Sequence, residues 1–109
     1  MATKTDMLQA SGAGMPSDKY INLTLGASGS TYTAPANGWF YFGREATASN
    51  QFVDMVNLTS KYRLQTNSPV SGIYCLQTIP ARKGDVVKIN YNLAGAIDGF
   101  YFIYCEGEN

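Results

Sequence analysis

Four aspartates, Asp18, Asp54, Asp85 and Asp98, are the residues of this 109-residue chain best suited to chemistry, because carboxylates ligate hard cations and work as acid–base pairs. They are scattered one per segment, without the close spacing of a metal loop. Ordinary roles account for three of them: Asp85 in a turn, Asp98 before a turn glycine, Asp54 on the outer side of a strand. The chain has no histidine, which removes Ser-His-Asp and Cys-His nucleophilic pairs, His-ligated metal centres and a histidine pH switch together. Cys75 and Cys105 each stand in an apolar β run, where an unoxidised cysteine acts as a small buried hydrophobe; a disulfide and a reactive thiol are the alternatives. The reading is of a protein that is not an enzyme and takes no metal or other cofactor.

Charge is sparse and balanced. Lys plus Arg number 8 and Asp plus Glu 8, and charged residues make up 15% of the chain, against roughly 25% in an average soluble protein. A surface so poor in charge usually carries contacts. Neither sign gathers into a run, so a nucleic-acid groove, which needs a basic stripe, is not expected. Arg82-Lys83 is the one adjacent basic pair and reads as a solvated turn. No run of about 18 apolar residues occurs, so membrane insertion is not expected. The start, Met-Ala-Thr-Lys-Thr-Asp, lacks the apolar stretch of a secretion signal, which implies synthesis in the cytosol. Asn22-Leu23-Thr24 and Asn57-Leu58-Thr59 match the glycosylation pattern and read as strand residues instead.

Any side chain of interest has to be positioned by strands. Residues 1–18 are small and polar apart from Met7, Leu8 and Met15, and read as an arm that either frays or attaches to a partner. Residues 19–109 form one domain, long enough to bury roughly 60–70% of its unfolded surface. Strands are expected at about 19–25, 31–34, 39–42, 51–58, 62–66, 72–79, 85–92 and 99–105, parted by Gly, Pro and Asn. In the turn Pro35-Ala36-Asn37-Gly38, proline fixes φ and Asn-Gly tolerates positive φ. No helical periodicity competes, which indicates an all-β sandwich or barrel. Two strands break the usual alternation. Trp39-Phe40-Tyr41-Phe42 is apolar on both faces, and so is the closing strand, with Phe100, Phe102 and Tyr104 on one face and Tyr101, Ile103 and Cys105 on the other. A half-buried antiparallel strand shows water one face only, so the second face requires a second cover.

The order of these features resembles the trimeric jelly-roll superfamily of tumour necrosis factor and the complement globular heads. An aromatic strand follows a Pro or Gly turn, as in Ala34-Pro35-Ala36-Asn37-Gly38-Trp39-Phe40-Tyr41-Phe42. A penultimate hairpin carries a Gly-Asp turn, here Lys83-Gly84-Asp85-Val86-Val87, and the closing strand begins Gly99-Phe100. The resemblance covers residues 19 to 105. The stretch from Tyr32 to Trp39 and the small size also resemble domains of bacteriophage tail-tip, fibre and head-fibre proteins.

The resemblance implies an antiparallel jelly-roll sandwich that assembles as a homotrimer, with Tyr74, Tyr101, Ile103 and Cys105 at the interface and Phe100, Phe102 and Tyr104 in the monomer core. It implies a virion structural protein that contacts the host surface, or a capsid decoration protein with a purely structural role. The arm, through Met7, Leu8 and Met15, would dock on other virion proteins. Loops 43–50, 66–71 and 93–98 would gather at the opposite end and offer Arg44, Glu45, Asn50, Gln65, Asn67, Asn92 and Asp98 to a host glycan or protein. In that fold a strand lies between those carrying Cys75 and Cys105, about 10 Å apart and beyond the roughly 7 Å reach of a disulfide.

Overall fold

The computed structural model describes residues 15–107; Met7 and Leu8 of the expected arm lie outside them. Among the described residues the chain forms strands and no helix: β1 Pro16–Asn22, β2 Ser30–Thr33, β3 Gly38–Glu45, β4 Gln51–Asn57, β5 Arg63–Ser68, β6 Tyr74–Ala81, β7 Val86–Tyr91 and β8 Ile97–Cys105. β1 pairs with β8, β2 with β7, β3 with β6 and β4 with β5, all antiparallel. The chain is therefore one long hairpin turned between β4 and β5. Rolling that hairpin adds the pairs β3 with β8 and β4 with β7. Two four-stranded antiparallel sheets result, sheet A in the order β1-β8-β3-β6 and sheet B in the order β2-β7-β4-β5.

Period-two alternation sends one face of each sheet inward. β6 shows it most plainly, with Cys75, Gln77, Ile79 and Ala81 buried and the residues between them exposed. Phe40, Phe42, Phe100 and Phe102 from sheet A meet Val53, Met55, Val87 and Ile89 from sheet B in a single core. Phe40 and Phe102 pack edge to face with ring centroids 5.0 Å apart, and each fully buried ring stabilises the fold by about 1.5–3 kcal/mol. Gln77 is the polar exception. Its Nε2 donates to Leu64 O at 2.7 Å and its Oε1 accepts from Thr66 Oγ1 at 2.6 Å, stitching β6 to β5 across the edge of the sandwich.

Several boundaries differ from the sequence expectation for identifiable reasons. β1 begins at Pro16 rather than Lys19, so part of the expected arm belongs to the domain. Pro16 pairs with Cys105, and an irregularity before Tyr20 absorbs the extra residues. Ser17 Oγ also donates to Tyr104 O at 2.9 Å. β3 continues to Glu45 and β8 starts at Ile97, because their ladder runs on through Gly43–Gly99 to Arg44–Ile97. Neither Asn37 nor Gly38 adopts positive φ. Gly38 is required for a different reason: a Cβ there would collide with the Ile103 carbonyl of the neighbouring strand.

Connections alternate between the two ends of the sandwich. At one end the residues joining β3 to β4, β5 to β6 and β7 to β8 hydrogen-bond to one another, with Ala46 N donating to Ile73 O and Glu45 N to Ala96 O. At the other end lie Met15, the Arg82–Asp85 turn and the end of β8; Glu106 N donates to Met15 O, and Gly84 N to Ala34 O. We call these the distal and proximal ends.

Candidate assembly interface

The register aligns the outer residues of sheet A in rows. One row runs Tyr20, Ile103, Trp39, Pro80, and the next runs Asn22, Tyr101, Tyr41, Thr78. Beyond them Gly99 and Gly43 stand side by side, with Leu76 next on β6. Side chains are excluded at this pair. A Cβ on Gly99 would lie 2.9 Å from the Tyr101 ring, and one on Gly43 would lie 2.6 Å from Leu76 Cδ2 and 3.1 Å from the Tyr41 hydroxyl. Bare backbone lets both tyrosines lean along their strands. Their rings stack with centroids 4.6 Å apart and planes 18° apart, and Tyr20 packs against Tyr101 at 5.2 Å. The outcome is a low aromatic surface across the middle of the sheet.

One polar pair closes on this face. Tyr41 hydroxyl donates to Asp98 Oδ2 at 2.5 Å. Burial, and then the adjacent Asp98 carboxylate, push the Tyr41 phenol well above the ordinary tyrosine range. Asp98 is thus a strand residue on the outer face rather than a turn residue. Between β1 and β8 the surface sinks into a groove of about 390 Å³ lined by Ser17, Asp18, Tyr20, Asn22, Asp98, Gly99, Tyr101 and Ile103. Of the expected interface residues, Tyr101 and Ile103 line this groove and Cys105 follows them at the end of β8, all three half-buried, while Tyr74 stands on the β6 edge, exposed. Aromatics of the Trp39 to Phe42 strand were expected on this face; Tyr20 and the hydrogen bond from Tyr41 to Asp98 were not anticipated. Alternation in 39–42 was legible, but the bulge that turns Asp98 onto this face is not written in local composition.

The outer face of sheet B is built differently. Thr31 and Lys88 pair across β2 and β7, and Asp54 lies between Gln65 and Asn90. Asp54 is on the outer side of its strand, as expected, yet it is shielded. Arg63 closes over it with a forked contact, Nε to Oδ1 at 2.9 Å and Nη2 to Oδ2 at 2.7 Å.

The expected distal surface divides. Asn50, held at φ 63°, and Asn92 sit in the distal connections, with Glu45 and Asp98 close by on strand ends. Arg44 is tied down, its Nε donating to Gly95 O at 2.9 Å and its guanidinium lying over the Tyr91 ring. Gln65 and Asn67 are not loop residues. They lie in β5, paired with Asp54 and Phe52, because the β4–β5 ladder extends to Ser68. Met15 is exposed at the proximal end.

Asp85 proves to be a structural pin. It is buried, and its Oδ2 accepts from Asn57 Nδ2 at 3.0 Å and from Arg82 N at 3.0 Å. The Arg82 backbone N–H, followed by Asn57, holds this carboxyl below the usual aspartate value. Asn57 is 1% exposed, and its Oδ1 accepts from Thr59 N and Ser60 N, so its glycosylation-like pattern is an Asx turn. That Asn-Leu-Thr-Ser run at a strand end was the available signal. Cys75 is buried in the core, which pushes its thiol up. Cys75 and Cys105 form no disulfide with each other, and β3 lies between their strands. No family model matches the chain, and no curated protein or solved structure shows significant similarity to it.

Proposed function

We propose that the chain is a bacteriophage virion structural protein that forms a homotrimeric jelly-roll tail-tip or fibre-head domain and contacts the host surface. The observation that carries the assembly is the aromatic outer face of sheet A, since a contiguous apolar patch of this kind marks an interaction surface. The pairing of first strand with eighth, second with seventh, third with sixth and fourth with fifth is the order of a rolled hairpin and supports the jelly-roll reading. The phage setting rests on the resemblance of the Tyr32 to Trp39 stretch and of the small, weakly charged domain. In this reading residues 1–15 dock on another virion protein and the distal end faces outward.

One observation favours the alternative, a capsid decoration or head-fibre trimer with a purely structural role. Polar side chains at the distal end are engaged internally: Arg44 with Gly95, Asn92 Oδ1 with Phe52 N at 2.7 Å, and Gln51 with Thr47. Two manipulations separate the readings. Deleting residues 1–15 is expected to abolish virion incorporation and spare the trimer. Substituting Asn50 and Asn92 together is expected to impair host adsorption and leave incorporation intact; unchanged adsorption would select the decoration role.

A further inference from the structure

We infer that the distal end docks on a lipid bilayer, seating Val70, Ile73 and Ile97 among the headgroups without need of anionic lipid. This inference rests on the host-contact reading and names the chemistry of the surface that is met. Four connections form the distal end: residues 23–29, 46–50, 69–73 and 92–96. The first of them belongs there because Tyr91 N, at the end of β7, donates to Ser28 Oγ at 2.9 Å. None of the four holds an Asp, Glu, Lys or Arg. The proximal connections differ, since Lys61, Arg82, Lys83 and Asp85 all lie in them. Charge is what a bilayer excludes most strongly, so the charge-free end is the one suited to enter it.

Val70, Ile73 and Ile97 stand out at this end, 50%, 47% and 51% exposed. Backbone bonds gather them round the end of β3: Ala46 N donates to Ile73 O, Gly72 N to Ala46 O, and Glu45 N to Ala96 O beside Ile97. Polar groups here already have partners. Gly95 N donates to Glu45 O, Asn50 N to Ser68 O, and Ser68 Oγ to Val70 O at 2.6 Å, so these groups leave water without losing a hydrogen bond. Arg44, Glu45 and Asp98, the nearest charges, stand on strand ends and limit the depth to peripheral docking, far short of a spanning segment. A protein partner suits this end less. Anchors at protein interfaces are mainly Trp, Tyr and Arg, and the four connections contain none of them. Symmetry favours a flat surface: rotation of the proposed trimer about an axis parallel to the strands sets three distal ends at one height, where a bilayer engages all three together.

The test is flotation of the full chain with phosphatidylcholine vesicles, set beside host adsorption. Wild type is expected to float with the vesicles, and equally well in about 1 M salt, where charge is screened within about 3 Å. Val70→Asp combined with Ile73→Asp is expected to lower the bound fraction by about tenfold or more, with circular dichroism and sedimentation checking that fold and assembly persist. A gain of binding guards against a merely damaged variant. Val70→Trp is expected to bind several-fold more tightly, and its added emission to move to shorter wavelength when vesicles are supplied, because tryptophan favours the membrane–water interface. A wild type that does not float, flotation lost in salt, an aspartate variant that floats like wild type, or a Val70→Trp chain that neither binds more nor shifts overturns the inference. If in that case the aspartate variant has still lost host adsorption, a protein or glycan receptor meets the distal end and the host-contact reading stands. Adsorption unchanged in that variant removes both.

Discussion

The two sheets share one core but turn opposite surfaces outward. Sheet A presents Trp39, Tyr41, Tyr101 and Ile103 in adjoining rows, whereas sheet B presents Thr31, Asp54, Gln65, Lys88 and Asn90. Each face holds a carboxylate, and their partners differ in kind. Asp54 is gripped by a guanidinium that is itself 61% exposed, the arrangement of a surface that stays in water. Asp98 is held by the phenol of Tyr41, which presents aromatic carbon around it. Sheet B is finished as an outside. Sheet A keeps an aromatic outer face, the one that the proposed assembly would cover.

If that contrast is right, it belongs to the outer faces alone, and the inner faces should be equivalent. Phe102→Ala on sheet A is expected to cost about 3–5 kcal/mol and Met55→Ala on sheet B about 2–5 kcal/mol, measured by urea denaturation at fixed protein concentration. A negligible loss at either position would break the picture of a core shared by both sheets.

Outer-face substitutions should then separate sharply. Ile103→Asp places a carboxylate in the aromatic rows, and an unpaired buried charge is penalised by several kcal/mol, so association is expected to weaken by about 100-fold or more. Gln65→Asp on sheet B is expected to leave it unchanged. Equal responses in mass photometry would erase the difference between the faces.

Asp85 sharpens the comparison at the proximal end, where both sheets are tied. Asp85→Ala removes the acceptor for Asn57 Nδ2 and Arg82 N, at an expected cost of about 1–3 kcal/mol. Because its native pKa is lowered, its contribution is complete above the unfolded aspartate value of about 3.9 and is lost as pH falls through the native value. Stability of wild type and variant should therefore converge in acid, below about pH 4; a constant gap would remove this role. The smallest effect is that of Tyr41→Phe, about 0.5–1.5 kcal/mol. The raised pKa of Tyr41 means its contribution is full below the unfolded tyrosine value of about 10 and declines as pH rises through the native value. Absorbance titration should show a phenol that stays protonated after the exposed tyrosines have ionised, and that phenol should vanish in the variant.

Much of the fold was legible in the residues because alternation is a local signal. Phe40 and Phe42, and Phe100 and Phe102, are spaced two apart, and Gly, Pro and Asn mark where strands stop. The doubly apolar stretches 39–42 and 100–105 marked the apolar outer face of sheet A before any register was known. What escaped depends on contacts distant in sequence. Asp85 is buried by Asn57, 28 residues away. Asp98 reaches the aromatic face through a bulge beside Gly43, and Gln65 leaves the distal loops because β5 holds register with β4 to its end. β1 hid its start in an irregular pairing where alternation fails.

Sedimentation velocity of the full-length wild-type chain at micromolar concentration tests the central claim most directly, since the two readings of the aromatic face differ threefold in mass. Burial of that face between copies predicts one species at three times the chain mass, stable on dilution through this range. A single species at the chain mass would contradict the account, because Tyr20, Tyr101, Tyr41 and Trp39 would then face water with nothing to cover them.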